Sequence, residues 1–240
     1  MSEAVVTYPG KDLEAMSFAV KYHRWLLDEF RPYIGKDLVE VGAGTGSFSK
    51  MLLDLSPDRL SLVEPSEMFA ALRQSIDPLK ANTTIEFFHT IFEKAVDEIT
   101  HSGRPDTIIY VNVLEHIEDD VRELEMIRET LSDGGKCLIF VPAMPALFSD
   151  FDRDLGHFRR YTKPELEAKM ASAGFKILRS RYFDLAGAAP WYLKYRVLKS
   201  RKLSGGAVSM YDNIVVPVMR RFESVIQPVF GKNILLAAEK

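Results

Sequence analysis

The chain is expected to fold as an α/β domain, a doubly wound, mostly parallel seven-stranded sheet with a helical insertion between its last two strands. Three observations carry this expectation. Short, continuously apolar runs recur along the chain, stretches of helical pattern separate them, and the first run ends in alternating glycines, VEVGAGTGSFSK from Val39 to Lys50. Continuous apolar runs mark strands covered on both faces, and their alternation with helices marks a parallel sheet.

The elements follow in order. KYHRWLLDEF (21–30) reads as an amphipathic helix within an N-terminal helical cap, residues 1–36, and leads into the first strand, DLVEV (37–41). The next strands are LSLVE (60–64), TIEFF (84–88), DTIIYV (106–111) and KCLIFV (136–141). SFSKMLLDL, SEMFAALRQS, FEKAVDEI and DVRELEMIRETL supply the helices between them, the last leaving through Gly134 and Gly135. A charged stretch, SDFDRDLGHFRRYT, precedes a helix with Pro164 in its first turn, then strand six, FKILRSRYF (175–183). Strand seven is NILLAAE (233–239). The segment 184–231 is too long for a simple connection and predicts a helical hairpin serving as a lid.

With 240 residues, 47% of them hydrophobic, the chain suits a single domain, 1–240. A net charge of −3 gives no reason to expect a nucleic-acid partner. Cys137 is alone and can form no intramolecular disulfide; its apolar run predicts a buried thiol. The N-terminus lacks a basic start followed by an apolar stretch, and no window supplies the roughly 18 apolar residues of a membrane span. A cytoplasmic location is the expectation.

Three classes compete for the glycine turn: a nicotinamide or flavin enzyme, a methyl-transferring enzyme, and an α/β domain whose glycines only make a turn. Gly42, Gly44 and Gly46 let the backbone approach a ligand that a Cβ would repel. The dinucleotide fingerprint G-x-G-x-x-G needs a glycine where Ser47 stands. Glu40, just before the turn, is unfavourable beside a pyrophosphate and favourable beside an amino group or sulfonium. Glu64, about twenty residues on, is placed to accept hydrogen bonds from a ribose, which fits either nucleoside class.

In order, VEVGAGTGSF, LVEPSEMF, NVLEHIED and LSDGGKCLIFVP resemble the successive motifs of class I S-adenosylmethionine-dependent methyltransferases. The resemblance runs from about Asp37 to Val141 and on through GHFRRYTKPELEAKMASAGF. It implies a Rossmann-like methyltransferase fold with S-adenosylmethionine as cofactor. Glu40 and the loop Gly42, Ala43, Gly44 and Gly46 would then face the methionine portion, Glu64 would hold the ribose, and Pro65 and Met68 would lie near the adenine. Thr90 and Ile91 stand where similar families often carry an acid at the adenine edge, and Asn112 and Val113 would complete the pocket. The strand-four segment NVLE lacks the N-P-P-[YF] pattern of enzymes that methylate a flipped base, so the acceptor implied is a small molecule such as a quinone precursor, secondary metabolite or sugar.

Residues after strands four and five border the ligand crevice of such a sheet. His116 is therefore the first candidate base and His157 the second, with Tyr161, Arg159 and Arg160 beside them; each also has an ordinary structural role open to it. The Glu115–His116 pair is similar to an E-x-x-E-H segment through which some methyltransferases hold a divalent cation. Asn112 occupies the first position, so no metal is expected. WYLKYRVLKSRK (191–202) mixes aromatics with five cations; it either packs the lid or meets a membrane interface or lipid-linked acceptor. A non-catalytic cofactor-binding module remains the rival to an enzyme.

Overall fold

The computed structural model describes residues 19–79, 82–201 and 204–240. Strands β1 (Asp37–Val41), β2 (Arg59–Val63), β3 (Thr84–Phe88), β4 (Thr107–Val111), β5 (Lys136–Pro142), β6 (Lys176–Phe183) and β7 (Asn233–Glu239) form one sheet in the order β3-β2-β1-β4-β5-β7-β6. Every neighbouring pair from β3 to β5 is parallel, and β7 is antiparallel to both β5 and β6. From β1 the chain winds outward to β3, then crosses to β4 on the other side. The order reverses between β1 and β4, and there the carboxyl ends of the strands part to open a crevice.

The central strands are largely apolar because each face of the sheet supports its own core. Alternate residues point to opposite faces: Val39, Val41, Ile108, Tyr110 and Ile139 enter one cluster, while Leu38, Ile109, Leu138 and Phe140 enter the other. Helices α4 (Phe92–His101), α5 (Asp120–Thr130) and α7 (Lys163–Ser172) cover the first face through Phe92, Leu124, Ile127, Leu166 and Met170. Helices α1 (Val20–Phe30), α2 (Ser47–Leu53) and α3 (Phe69–Ile76) cover the second through Trp25, Leu26, Phe30, Leu52 and Leu72. Cys137 is buried in the first cluster, its thiol pushed up in pKa by burial.

Local chemistry explains where helices begin. Asp119 caps α5 by accepting the Arg122 N–H, and Thr162 with Glu165 forms a capping box ahead of Pro164 at the start of α7. Helix α1 has no cap of its own. Its first N–H groups, of Lys21 and Tyr22, are instead accepted by the carboxylate of Asp212 at 2.9 and 2.8 Å, from across the chain.

Asp212 belongs to the segment between β6 and β7. That segment holds α8 (Ala188–Trp191), which runs into a wide turn at Tyr192–Val197, and then α9 (Gly205–Met210), a second wide turn at Tyr211–Val215, and α10 (Val216–Glu223). Val216 is buried on the second core, with Val208, Tyr211 and Met219 packed beside it. Buried Asp184 fastens the segment at its base through Tyr211 Oη and through Lys232 Nζ at 3.2 Å. Residues 1–18 of the expected cap lie outside the described residues.

Candidate active site

A single cavity of about 570 Å³ opens at the carboxyl ends of β1, β2, β4 and β5. Its floor at β1 is the glycine turn. Gly42 adopts φ +73°, and a Cβ there would collide with Val113 Cγ2, so this position admits glycine alone. The Gly44 N–H donates to Glu64 Oε2 at 2.7 Å, and the Ser66 N–H donates to Glu64 Oε1 at 2.9 Å. Glu64, one residue beyond β2, thus ties the turns after β1 and β2 together while lining the cavity.

Glu40 is 3% exposed and accepts the Ser49 hydroxyl at 2.5 Å. Burial raises its pKa to about 8; the Ser49 hydrogen bond opposes that, and the nearby charge of Glu64 adds to it. Near neutral pH the carboxyl therefore keeps a proton that a positive charge beside it would displace. An ammonium or sulfonium in the cavity would supply that charge.

Glu40, Gly42, Ala43, Gly44, Glu64, Pro65, Ile91, Asn112 and Val113 all line the cavity, as do His116 and His157. Gly46, Met68 and Thr90 do not. Gly46 instead lies behind the turn, against Ser75, Ile76 and Leu72 of α3. Of the polar side chains on α1, Tyr22 reaches the cavity wall and its hydroxyl donates to Asn233 at 3.1 Å, while Arg24 pairs with Asp54 on the surface.

Tyr161 is also placed elsewhere. Its ring is fully buried, and its hydroxyl donates to Asp120 Oδ2 at 2.8 Å. Burial and the Asp120 charge push its pKa up, so it keeps its proton and serves the packing of α5 and α7.

At the far end of the cavity stand Glu115, His116 and His157. The two imidazoles meet edge to face with centroids 4.6 Å apart, and one ligand atom from each of the three residues lies within 4.8 Å of the others. Glu115 is wholly buried. Burial raises its pKa to about 7 against the pull of His157, its own backbone N–H and Arg160, and neither oxygen reaches a partner with hydrogen-bond geometry. His116 is lowered to about 3 by burial and by the charge of His157, with a hydrogen bond to the Gly156 backbone opposing. At that value the imidazole is neutral and a weak base near pH 7.

The sequence allowed His157 and Arg160 surface salt bridges with Asp150, Asp152 or Asp154; the structure pairs both with Asp152, and buries the pairing. Its Nδ1 lies 3.2 Å from Asp152 Oδ1, and Arg160 Nε reaches the same oxygen at 2.7 Å. Burial pushes the Asp152 carboxyl up, but hydrogen bonds from His157, Arg160 and Ser149 and the Arg160 charge outweigh it and hold the pKa at about 2. An ionised carboxylate accepts only, so Nδ1 carries the proton and Nε2 remains for a ligand. A signal existed in the sequence: Ser149-x-x-Asp152 is a capping box at the start of α6 (Asp150–Asp154), which fixes Asp152 facing inward. Arg160 then carries the wall onward, its guanidinium 4.9 Å from the Trp191 ring at the root of the insertion.

With this geometry in place, residues 20–180 match a protein family described as a methyltransferase domain. The fold is similar to an S-adenosylmethionine-dependent methyltransferase from Mesorhizobium loti, with 15% identity, a TM-score of 0.57, and 89% of this chain and 96% of that one covered. An S-adenosylmethionine-dependent methyltransferase from Archaeoglobus fulgidus aligns with TM-score 0.57 at 13% identity over 92% and 93% of the two chains. The [4+2]-cyclase SpnF aligns with TM-score 0.58 at 16% identity over 92% and 81%. No curated protein matches the sequence.

Proposed function

Because this chain belongs to the methyltransferase domain family and uses S-adenosylmethionine, we propose that it transfers the methyl group to a small-molecule acceptor held against Glu115, His116 and His157. The observation that carries this reading is the continuity of one cavity of about 570 Å³ from the Gly42–Gly44 turn and Glu64 to those three residues. Small-molecule and cofactor sites run to about 300–1,000 Å³. A nucleoside cofactor and a compact acceptor fit that range together.

In this reading Glu64 accepts the ribose hydroxyls, Glu40 faces the cationic methionine end, and Pro65, Ile91, Asn112 and Val113 border the base and its linkage. Methyl transfer is a direct displacement. The methyl–sulfur bond breaks as the bond to the acceptor forms, and the sulfonium becomes a neutral thioether. The protein chiefly aligns the two reactants. Where the acceptor atom bears a proton, His157 receives it, held in the required tautomer by Asp152. His116 lies beside it and shapes the acceptor end.

A second reading of that end is favoured by the unpartnered, buried carboxylate of Glu115. Glu115, His116 and His157 offer one carboxylate and two imidazoles at ligand spacing, a donor set suited to a divalent cation, with Asp152 behind His157 as metal-bound imidazoles are commonly supported. A cation held there would polarise an acceptor hydroxyl and ease its deprotonation.

The test is to incubate the protein with methyl-labelled S-adenosylmethionine and cell extract separated into lipid, small-molecule, protein and nucleic-acid fractions. Label among small molecules, with equimolar S-adenosylhomocysteine, is the expected result. Bound cofactor without any S-adenosylhomocysteine would instead identify a binding module, and label confined to nucleic acid or protein would overturn the acceptor class.

A further inference from the structure

The segment 185–231 differs from the rest of the molecule in charge and in what it exposes. It contains seven lysines and arginines against two carboxylates, in a chain whose net charge is −3. Both carboxylates are turned inward. Asp212, 3% exposed, caps α1, and Glu223, 1% exposed, binds Arg181 at 2.8 Å. The segment therefore exposes no acid of its own among its described residues; Arg220 pairs with Asp28 at 2.8 Å and Arg201 with Asp154 at 3.4 Å, both outside the segment, and the other described cations meet no exposed acid within it.

That same surface is apolar. Twelve of the sixteen exposed large hydrophobic side chains among the described residues fall between Tyr192 and Phe230. Ile214, Val218, Phe222 and Val225 follow one another at helical spacing, 63%, 66%, 43% and 83% exposed, while Val216 and Met219 pack inward. Arg221 joins Val218, Phe222 and Val225 around a shallow groove on this face. An apolar stripe of this length is uncommon on a surface that meets only water.

We propose that this face docks on an anionic lipid bilayer, with the Ile214–Val225 stripe at the acyl boundary and the flanking basic side chains on headgroup phosphates. Inward-facing acids remove the repulsion that anionic lipid would otherwise meet, and apolar and cationic side chains together are what an interfacial helix uses. A second copy suits the face poorly, because a two-fold contact sets the same patch against itself, cation to cation. No helix among the described residues is long and apolar enough to cross a membrane, so the contact is peripheral. Trp191, near the start of the segment, and Lys232, just after its end, both line the cavity. Resting on the methyl-transfer reading, docking would bring that cavity to an amphipathic acceptor.

The experiment is co-sedimentation of the full chain with vesicles of phosphatidylglycerol and phosphatidylcholine, against phosphatidylcholine alone, for wild type and for V218E/V225E. Both positions are well exposed, and circular dichroism with S-adenosylhomocysteine binding shows that the variant is folded and keeps its cofactor site. The wild type should partition onto the anionic vesicles, and the variant about tenfold less or weaker still. No partition of the wild type, or equal partition of the variant, would overturn the proposal. So would a wild-type dimer in sedimentation velocity that V218E/V225E dissolves while neither protein binds vesicles. Retained S-adenosylhomocysteine binding in any of these cases separates failure of the docking face from failure of the methyl-transfer reading.

Discussion

Glu64 raises the pKa of Glu40 across the glycine turn, adding to the burial that already holds the Glu40 carboxyl at about 8. The free protein therefore carries a proton on Glu40 at neutral pH, and a cationic ligand beside it favours the ionised form. Binding S-adenosylmethionine at pH 7 should release protons, and affinity should fall as pH drops below about 8. The stability of the unliganded protein runs the other way. Its folded pKa lies above the unfolded value, so the Glu40 contribution is full below about 4.5 and is lost as pH rises through about 8. Calorimetry in two buffers of different ionisation enthalpy measures the release. Equal proton release by Glu40→Gln would show that another group is responsible.

Glu64 holds the turn as well as lining the cavity, so its removal acts twice. Glu64→Ala leaves the N–H groups of Gly44 and Ser66 without their acceptor and removes the proposed ribose contact. A charge-assisted hydrogen bond contributes about 1.5–3 kcal/mol, and cofactor binding should weaken by at least about that much. Titration calorimetry with S-adenosylhomocysteine reads it directly. Unaltered affinity would take Glu64 out of the cofactor site.

If His157 is the base proposed above, Asp152 joins stability to catalysis. It is fully buried and shared by Arg160 and His157, so Asp152→Ala strands the Arg160 guanidinium and should cost about 3–5 kcal/mol in denaturant unfolding. Asp152→Asn keeps the shape but loses the charge that selects the His157 tautomer. General-base catalysis supplies about 10²–10⁴-fold, and turnover should fall on the order of a hundredfold with cofactor affinity unchanged. Normal turnover in Asp152→Asn would leave Asp152 a purely structural anchor for Arg160.

Much of this was legible in the sequence because it depends on local pattern. Continuous apolar strands such as Leu138–Val141 and the Gly42–Gly46 turn fix the sheet and its crevice through nearest neighbours alone. Long-range pairings were not legible. Asp212 caps a helix 190 residues away, and His157 reaches His116 only because the loop after β5 folds back across the strand ends. Tyr161 shows the converse. It lies in a stretch rich in site candidates, but alternation in the chain turns it from the crevice into the core, where Asp120 takes its hydroxyl. The identity of residue 112 likewise could not show that the fold brings His157, a third potential donor, from a distant segment to Glu115 and His116.

That third donor makes the cation reading testable apart from activity. After dialysis against a chelator, the protein should bind Mn²⁺ or Zn²⁺ in calorimetry and melt higher with the metal present, since a ligand at a hundred times its dissociation constant adds about 2.7 kcal/mol to stability. Glu115→Gln removes a buried carboxylate that has no hydrogen-bond partner. Metal-free, the variant should therefore be at least as stable as the wild type, because an unpartnered buried carboxylate is costly to fold around. With metal it should gain much less, because one of three ligands is gone. The two effects have opposite signs, and a merely structural Glu115 predicts neither. No heat and no rise in melting temperature for the wild type would leave His157 to act as a base alone, with Glu115 as part of the cavity wall.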